Sequence, residues 1–153
     1  MGQYFVDTSA LVKRYRAEQG TDRIDALFAD SSSAFLISRL GLVETISALA
    51  LNVRVGQLQH SDYVVARKKF LGDVVDGTIK AVRLLVAHFR QAERLIDCHA
   101  TSRRLRTLDA LQLSAGLDLF KAGRIDTFVS ADQSLCEIAA LENLPVINPL
   151  SVP

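Results

Sequence analysis

Four carboxylates in this sequence stand where a solvated acid is not the obvious reading: Asp7, Glu44, Asp109 and Asp132. Asp7 directly follows the apolar stretch Tyr4-Phe5-Val6, at the exit of a strand, where it can act as a ligand or as the N-cap of the next helix. Glu44 is the sole acid between Asp30 and Asp62, and its helical neighbours are Leu40, Ala48 and Leu51. A carboxylate among apolar side chains costs several kcal/mol unless it is paired or holds a cation; the alternative is an exposed helix edge beside Arg39 or Arg54. Asp109, in Leu108-Asp109-Ala110-Leu111, taken alone reads as a first-turn acid, where the dipole favours a carboxylate and Thr107 can serve as N-cap, with a functional site as the alternative. Asp132 follows another strand and reads either as a ligand or as a loop or cap aspartate.

Taken together, two of the four lie at strand exits and two at helix positions able to face them. An all-carboxylate donor set suits hard cations such as Mg²⁺ or Mn²⁺. Without a cation, clustered acids repel one another and their pKa values rise. Such a centre suits phosphodiester hydrolysis, in which a bound ion activates water and a second, if present, stabilises the leaving oxygen.

Other chemistries lack their parts. The sequence has no GxxxxGK[ST] loop and no GxGxxG, so it lacks either common phosphate cradle. It has no GxSxG elbow. His60, His88 and His99 form no HExxH and no pairing with Cys98 or Cys136, which argues against zinc. Ser9, rather than a second Asp, stands two residues after Asp7, against the aspartyl-phosphate pattern.

The elements that must position these acids alternate. Strands are expected over 3–6, 34–38, 78–85, 127–130 and 145–148. Helices are expected over 7–16, 21–29, 40–55, 62–75, 86–100, 108–122 and 134–142, the last opening on a Ser134-x-x-Glu137 capping box and the one at 108–122 ending at Gly123. Strands alternating with helices predict an α/β fold with a mostly parallel sheet, whose sites form beyond the carboxyl ends of the strands.

The chain has 153 residues, 49% of them hydrophobic and 23% charged, with a formal net charge of +1. This is ordinary globular composition, expected to form one domain over 1–153. No apolar run reaches about 18 residues, so no membrane span is expected, and residues 1–7 lack the features of a signal peptide. The near-neutral balance excludes bulk polyanion coating, so any nucleic-acid site must come from local clusters: Arg103, Arg104 and Arg106; Lys13, Arg14 and Arg16; or Arg67, Lys68 and Lys69. The last reads best as a solvated face. Two distant cysteines read as reduced thiols in a cytoplasmic protein.

The sequence resembles the PIN-domain ribonucleases, and within them the stand-alone VapC-type toxins of toxin–antitoxin pairs. The matching pieces are Phe5-Val6-Asp7-Thr8-Ser9-Ala10-Leu11, Leu42-Val43-Glu44, the segment from Leu105 to Ala115, Phe128-Val129-Ser130-Ala131-Asp132-Gln133-Ser134-Leu135, and the tail Leu144-Pro145-Val146-Ile147-Asn148-Pro149. They run in the family's order across essentially the whole chain. The resemblance implies a three-layer α/β/α sandwich and a metal-dependent endoribonuclease with Mg²⁺ or Mn²⁺ in an acidic pocket. Carried over by position, Asp7, Glu44, Asp109 and Asp132 form the acidic set, with Asp7 and Asp109 foremost as direct ligands; Ser9, Ser130 and Thr8 support the pocket. Gln112 departs from the pattern, since many relatives carry His there. Arg103, Arg104, Arg106 and Lys13 become candidates for contact with RNA phosphates.

The resemblance further implies a cognate antitoxin, an RNA substrate of the tRNA or rRNA kind and a homodimer, with the helices at 62–75 and 21–29 as candidate surfaces. Two other readings compete: a PIN-like nuclease of RNA processing outside toxin–antitoxin systems, and a non-catalytic scaffold that binds RNA or protein.

Overall fold

In a computed structural model, residues 1–151 are described. Five strands form one sheet: β1 (Gln3–Val6), β2 (Ala34–Ser38), β3 (Ile79–Val82), β4 (Thr127–Val129) and β5 (Val146–Ile147). Their order is β3-β2-β1-β4-β5 and every pairing is parallel. The helices are α1 (Thr8–Leu11), α2 (Thr21–Ala29), α3 (Arg39–Arg54), α4 (His60–Val75), α5 (Val86–His99), α6 (Thr107–Lys121) and α7 (Gln133–Leu141). The architecture is the expected α/β/α sandwich.

Strand side chains alternate between the faces of a sheet, and here that alternation sorts two cores. Phe5, Leu36 and Phe128 pack with α5, α6 and α7. Val6, Phe35, Ile37 and Val129 pack with α1, α2, α3 and α4. Phe5 lies in register with Phe128, and the two rings stack at 5.6 Å; Tyr4 stacks on Phe35 at 5.4 Å across the other side of β1. The central α6 is buried almost without a break from Asp109 to Leu117. It presses close to the sheet, since a Cβ on Gly116 would meet Phe128 Cδ2 at 2.8 Å. The helix closes at Ala122, and Gly123 takes the left-handed conformation (φ 65°) that ends it.

Several sequence expectations are revised. The helix expected over 7–16 stops at Leu11 and continues as a 3₁₀ turn over Val12–Arg14. There Arg14 and the Tyr15 hydroxyl both donate to Asp73 of α4, so tertiary contacts override a longer helix. β3 is shorter than 78–85, because the next segment leaves the sheet and the Leu85 N–H donates to His88 Nδ1 at the start of α5. The capping box does not form. Asp132 caps α7 by accepting from Leu135 N, and Ser134 instead donates to the Arg104 carbonyl at 2.7 Å. Thr107 is the first helical residue of α6 rather than its N-cap, a place taken by Arg106 without a side-chain bond. Among the described residues no helix is long and apolar enough to cross a membrane.

Candidate active site

The chain moves from β1 to β2 and β3 on one side, then crosses back to place β4 on the other side of β1. In open parallel sheets the crevice beyond the strand ends at such a reversal is where ligands bind. Polar residues stand there because each strand end also starts a helix. Asp7 caps α1, Ser38 caps α3 and Asp132 caps α7, while Asp109 lies in the first turn of α6. Helix N-termini carry partial positive charge, which favours carboxylates at this end of the sheet.

Asp7 is the best-held of the acids, only 4% exposed. Its Oδ2 accepts from Ser9 Oγ at 2.6 Å, from Ser9 N at 3.1 Å and from Ser130 Oγ at 3.2 Å. The serines are locked in turn, as Ala131 N donates to Ser9 Oγ and Asp132 N to Ser130 Oγ. Cys136 donates its thiol to the Ser130 carbonyl from beneath. Among the described residues Oδ1 accepts no hydrogen bond. Burial pushes the Asp7 carboxyl up to about 6; the bonds from Ser9 pull it down, and the charges of Asp109 and Glu44 push it up again. Both acids thus lie within electrostatic reach of Asp7, with a smaller effect than its burial.

Glu44 is half-buried and turns to neither Arg39 nor Arg54. Its Oε2 accepts from Gln112 Nε2 at 2.5 Å and from Thr8 Oγ1 at 3.2 Å. Asp109 is buried, with its carboxylate gripped by Arg106. Asp132 stands at the rim. Its Oδ1 caps α7, while Arg104 approaches its Oδ2 at 3.9 Å.

The basic candidates divide. Arg103, Arg104 and Arg106 line the exposed loop between α5 and α6, and the last two already face Asp132 and Asp109. Lys13 does not serve as expected: it is 7% exposed and its ammonium pairs with Glu18 at 3.2 Å, so it is turned from the acids and from solvent. Arg16 pairs with the same Glu18.

As the side chains lie, no group of three or more His, Cys, Asp or Glu stands close enough to hold a metal ion among the described residues. Arg106 occupies both oxygens of Asp109, while Gln112 and Thr8 occupy one oxygen of Glu44. The donor set of Asp7, Asp109 and Glu44 is nevertheless all oxygen and fits a hard cation, provided Arg106 lets go. Among the described residues His88 is matched to Asp118 and His99 to Glu142.

Sequence reasoning missed Ser38 and left Gln112 without a role. Ser38 was accessible by the argument that singled out Asp7, because it is the polar residue at the exit of β2.

No family model matches the sequence, and no curated protein matches it. Solved structures do. Mycobacterium tuberculosis VapC20, a toxin that cleaves the sarcin–ricin loop, superposes with a TM-score of 0.67 at 18% identity, covering 95% of this chain and 99% of that one. VapBC2 from Rickettsia felis, solved on a DNA fragment from its promoter, gives 0.63 at 14% identity, covering 95% and 98%. A toxin–antitoxin complex from Klebsiella pneumoniae gives 0.58 at 12% identity, covering 97% and 99%. The chain has the PIN-like fold that these toxin structures share.

Proposed function

We propose that this chain is a metal-dependent endoribonuclease and the toxin of a toxin–antitoxin pair. One observation carries the reading: buried Asp7 at the end of β1 has Glu44 of α3, tied to it through Thr8, and Asp109 in the first turn of α6 as its acidic neighbours, and their charges add to the burial that raises the Asp7 carboxyl. Acids with raised pKa values cluster at functional sites, and a bound cation would relieve their repulsion.

Asp7, Asp109 and Glu44 would hold Mg²⁺ or Mn²⁺, with Asp132 at the edge. The bound cation would supply Lewis acidity and an activated water for attack on phosphorus. Ser9 and Ser130 keep Asp7 aimed, their three bonds to Oδ2 leaving Oδ1 for the ligand. Arg103, Arg104 and Arg106 lie beside the acids, where RNA phosphates would approach. These contacts position the backbone without reading sequence.

The solved toxin that cleaves the sarcin–ricin loop and the solved toxin–antitoxin complex support structured RNA as substrate and an antitoxin as partner. Apolar surface for such a partner, or for a second copy in a homodimer, is exposed at Val64 and Val65 of α4 and at Leu85, Val86 and Phe89 around the start of α5.

The test is cleavage of a panel of tRNAs and rRNA fragments by partner-free protein with Mg²⁺, Mn²⁺ or EDTA, beside Asp7→Asn. Cleavage that needs metal and is lost in the variant supports the reading. Folded wild type that neither cleaves nor binds Mn²⁺ overturns it and leaves a binding scaffold.

A further inference from the structure

Gln112 of α6 is 1% exposed, and its side chain reaches Ser38 at the end of β2 and Glu44 of α3. A fully buried amide must satisfy two donors and an acceptor, and here each end has a distinct partner. The Gly41 N–H donates to Ser38 Oγ at 2.9 Å, capping α3. Ser38 therefore directs its own proton elsewhere, to Gln112 Oε1 at 2.7 Å. That leaves the NH₂ end of Gln112 facing Glu44 Oε2 at 2.5 Å and Thr8 Oγ1 at 3.5 Å. The reversed amide would set its carbonyl oxygen against the Glu44 carboxylate, two acceptors in contact. The space is fitted to this arrangement, since a Cβ on Gly41 would come within 3.0 Å of Gln112 Nε2.

We infer that Gln112, oriented by Ser38, is the positioning residue that sets the direction of the Glu44 carboxylate. Its NH₂ group, with the Thr8 hydroxyl, saturates Oε2, so Glu44 presents Oε1 to the acidic crevice. The chain of donors runs one way, from the α3 backbone through Ser38 and Gln112 to Glu44, and it ties together the exits of β1 and β2. The inference deepens the nuclease reading and rests on it for the cation. It names a determinant of metal affinity that touches no metal. Residues that orient ligands in this way typically change metal affinity by about 10–100-fold.

The experiment is Mn²⁺ calorimetry on wild type, Gln112→Met, Glu44→Gln and the double variant, with thermal unfolding alongside. Met keeps the volume and removes both donor and acceptor. The expected result is about a tenfold loss of Mn²⁺ affinity in Gln112→Met and no further loss when the change is made in the Glu44→Gln background. Unchanged affinity in Gln112→Met, or an equal loss in both backgrounds, overturns the inference, because Gln112 would then not act through Glu44. If wild type binds no Mn²⁺ the nuclease reading fails, and a second measurement decides the positioning role by itself, as it does if Gln112→Met does not fold. This is the side-chain amide ¹H–¹⁵N signal of Gln112, compared in wild type and Glu44→Gln. Slow exchange and a shift moved by Glu44→Gln uphold the contact; a signal like those of exposed Gln57 and Gln91, unmoved by Glu44→Gln, overturns it.

Discussion

Arg106 closes a two-pronged grip on Asp109, Nε donating to Oδ2 at 2.8 Å and Nη2 to Oδ1 at 3.2 Å. The two residues are one helical turn apart, and Arg106 is largely exposed while Asp109 is not. Such a pair holds the acid in place and would compete with a cation for the same oxygens.

The competition is measurable. A helix-spaced pair whose arginine is largely exposed to water contributes about 0.3–0.5 kcal/mol, so Arg106→Ala should tighten Mn²⁺ binding by about twofold while weakening RNA binding. Calorimetry with Mn²⁺ and a filter-binding series with RNA report the two effects. Weaker Mn²⁺ binding in the variant would show that Arg106 assists the site rather than guarding it.

Arg104 has a different part. Its guanidinium lies 3.9 Å from Asp132 and is largely exposed, available to a phosphate. Arg104→Ala should lower RNA affinity and reduce the slope of log affinity against log salt by about 0.7, the share of one phosphate contact on a single strand. An unchanged slope would remove Arg104 from the RNA path.

The burial of Asp7 bears on stability. Its carboxyl rises from an ordinary value near 3.9 to about 6 in the folded protein. The folded state therefore holds this proton more tightly than the unfolded one. The associated stability is fully present below about pH 4 and is lost as pH rises through about 6. At pH 7.5 ionised Asp7 costs the fold up to about 3 kcal/mol. Asp7→Asn should thus raise the unfolding temperature at pH 7.5, and the gain should shrink as pH falls from 6 to 4. Saturating Mn²⁺ should stabilise wild type and not the variant. Thermal scans across pH check both; a variant less stable than wild type at pH 7.5 would contradict the burial cost.

Gly116 is held by its neighbour rather than by its backbone. Gly116→Ala should gain up to about 1 kcal/mol of helix propensity. It should nonetheless be destabilised by about 1–3 kcal/mol overall, because the new methyl group meets the fully buried Phe128 ring, itself stacked on Phe5. Denaturant titration gives the sign. A stabilised variant would mean that α6 can move away from the sheet without loss.

The alternation of apolar strands with amphipathic helices was legible in the residues themselves, because periodicities of two and of 3.6 are local. So was the suspicion attached to Asp7, Glu44, Asp109 and Asp132, since an acid at a strand exit or on an apolar face is anomalous within its own few neighbours. Element ends were less legible. The first helix is cut short by Asp73 of α4, and α7 is capped by Asp132 because Ser134 is drawn to a distant carbonyl.

What sequence by itself determined, then, was the sheet, its two covering layers and the acids worth attention. Only the tertiary structure decided which partners each acid has. Asp7 is a buried helix cap, held by Ser130 from 123 positions away. Glu44 is bound by Gln112 from 68 positions away rather than by an arginine on its own helix. Lys13 is spent on Glu18. A local pattern says which face of an element is apolar. The partner a side chain finds depends on sheet register and on how each helix is rotated against its neighbours, and those are set by the packing of the whole chain.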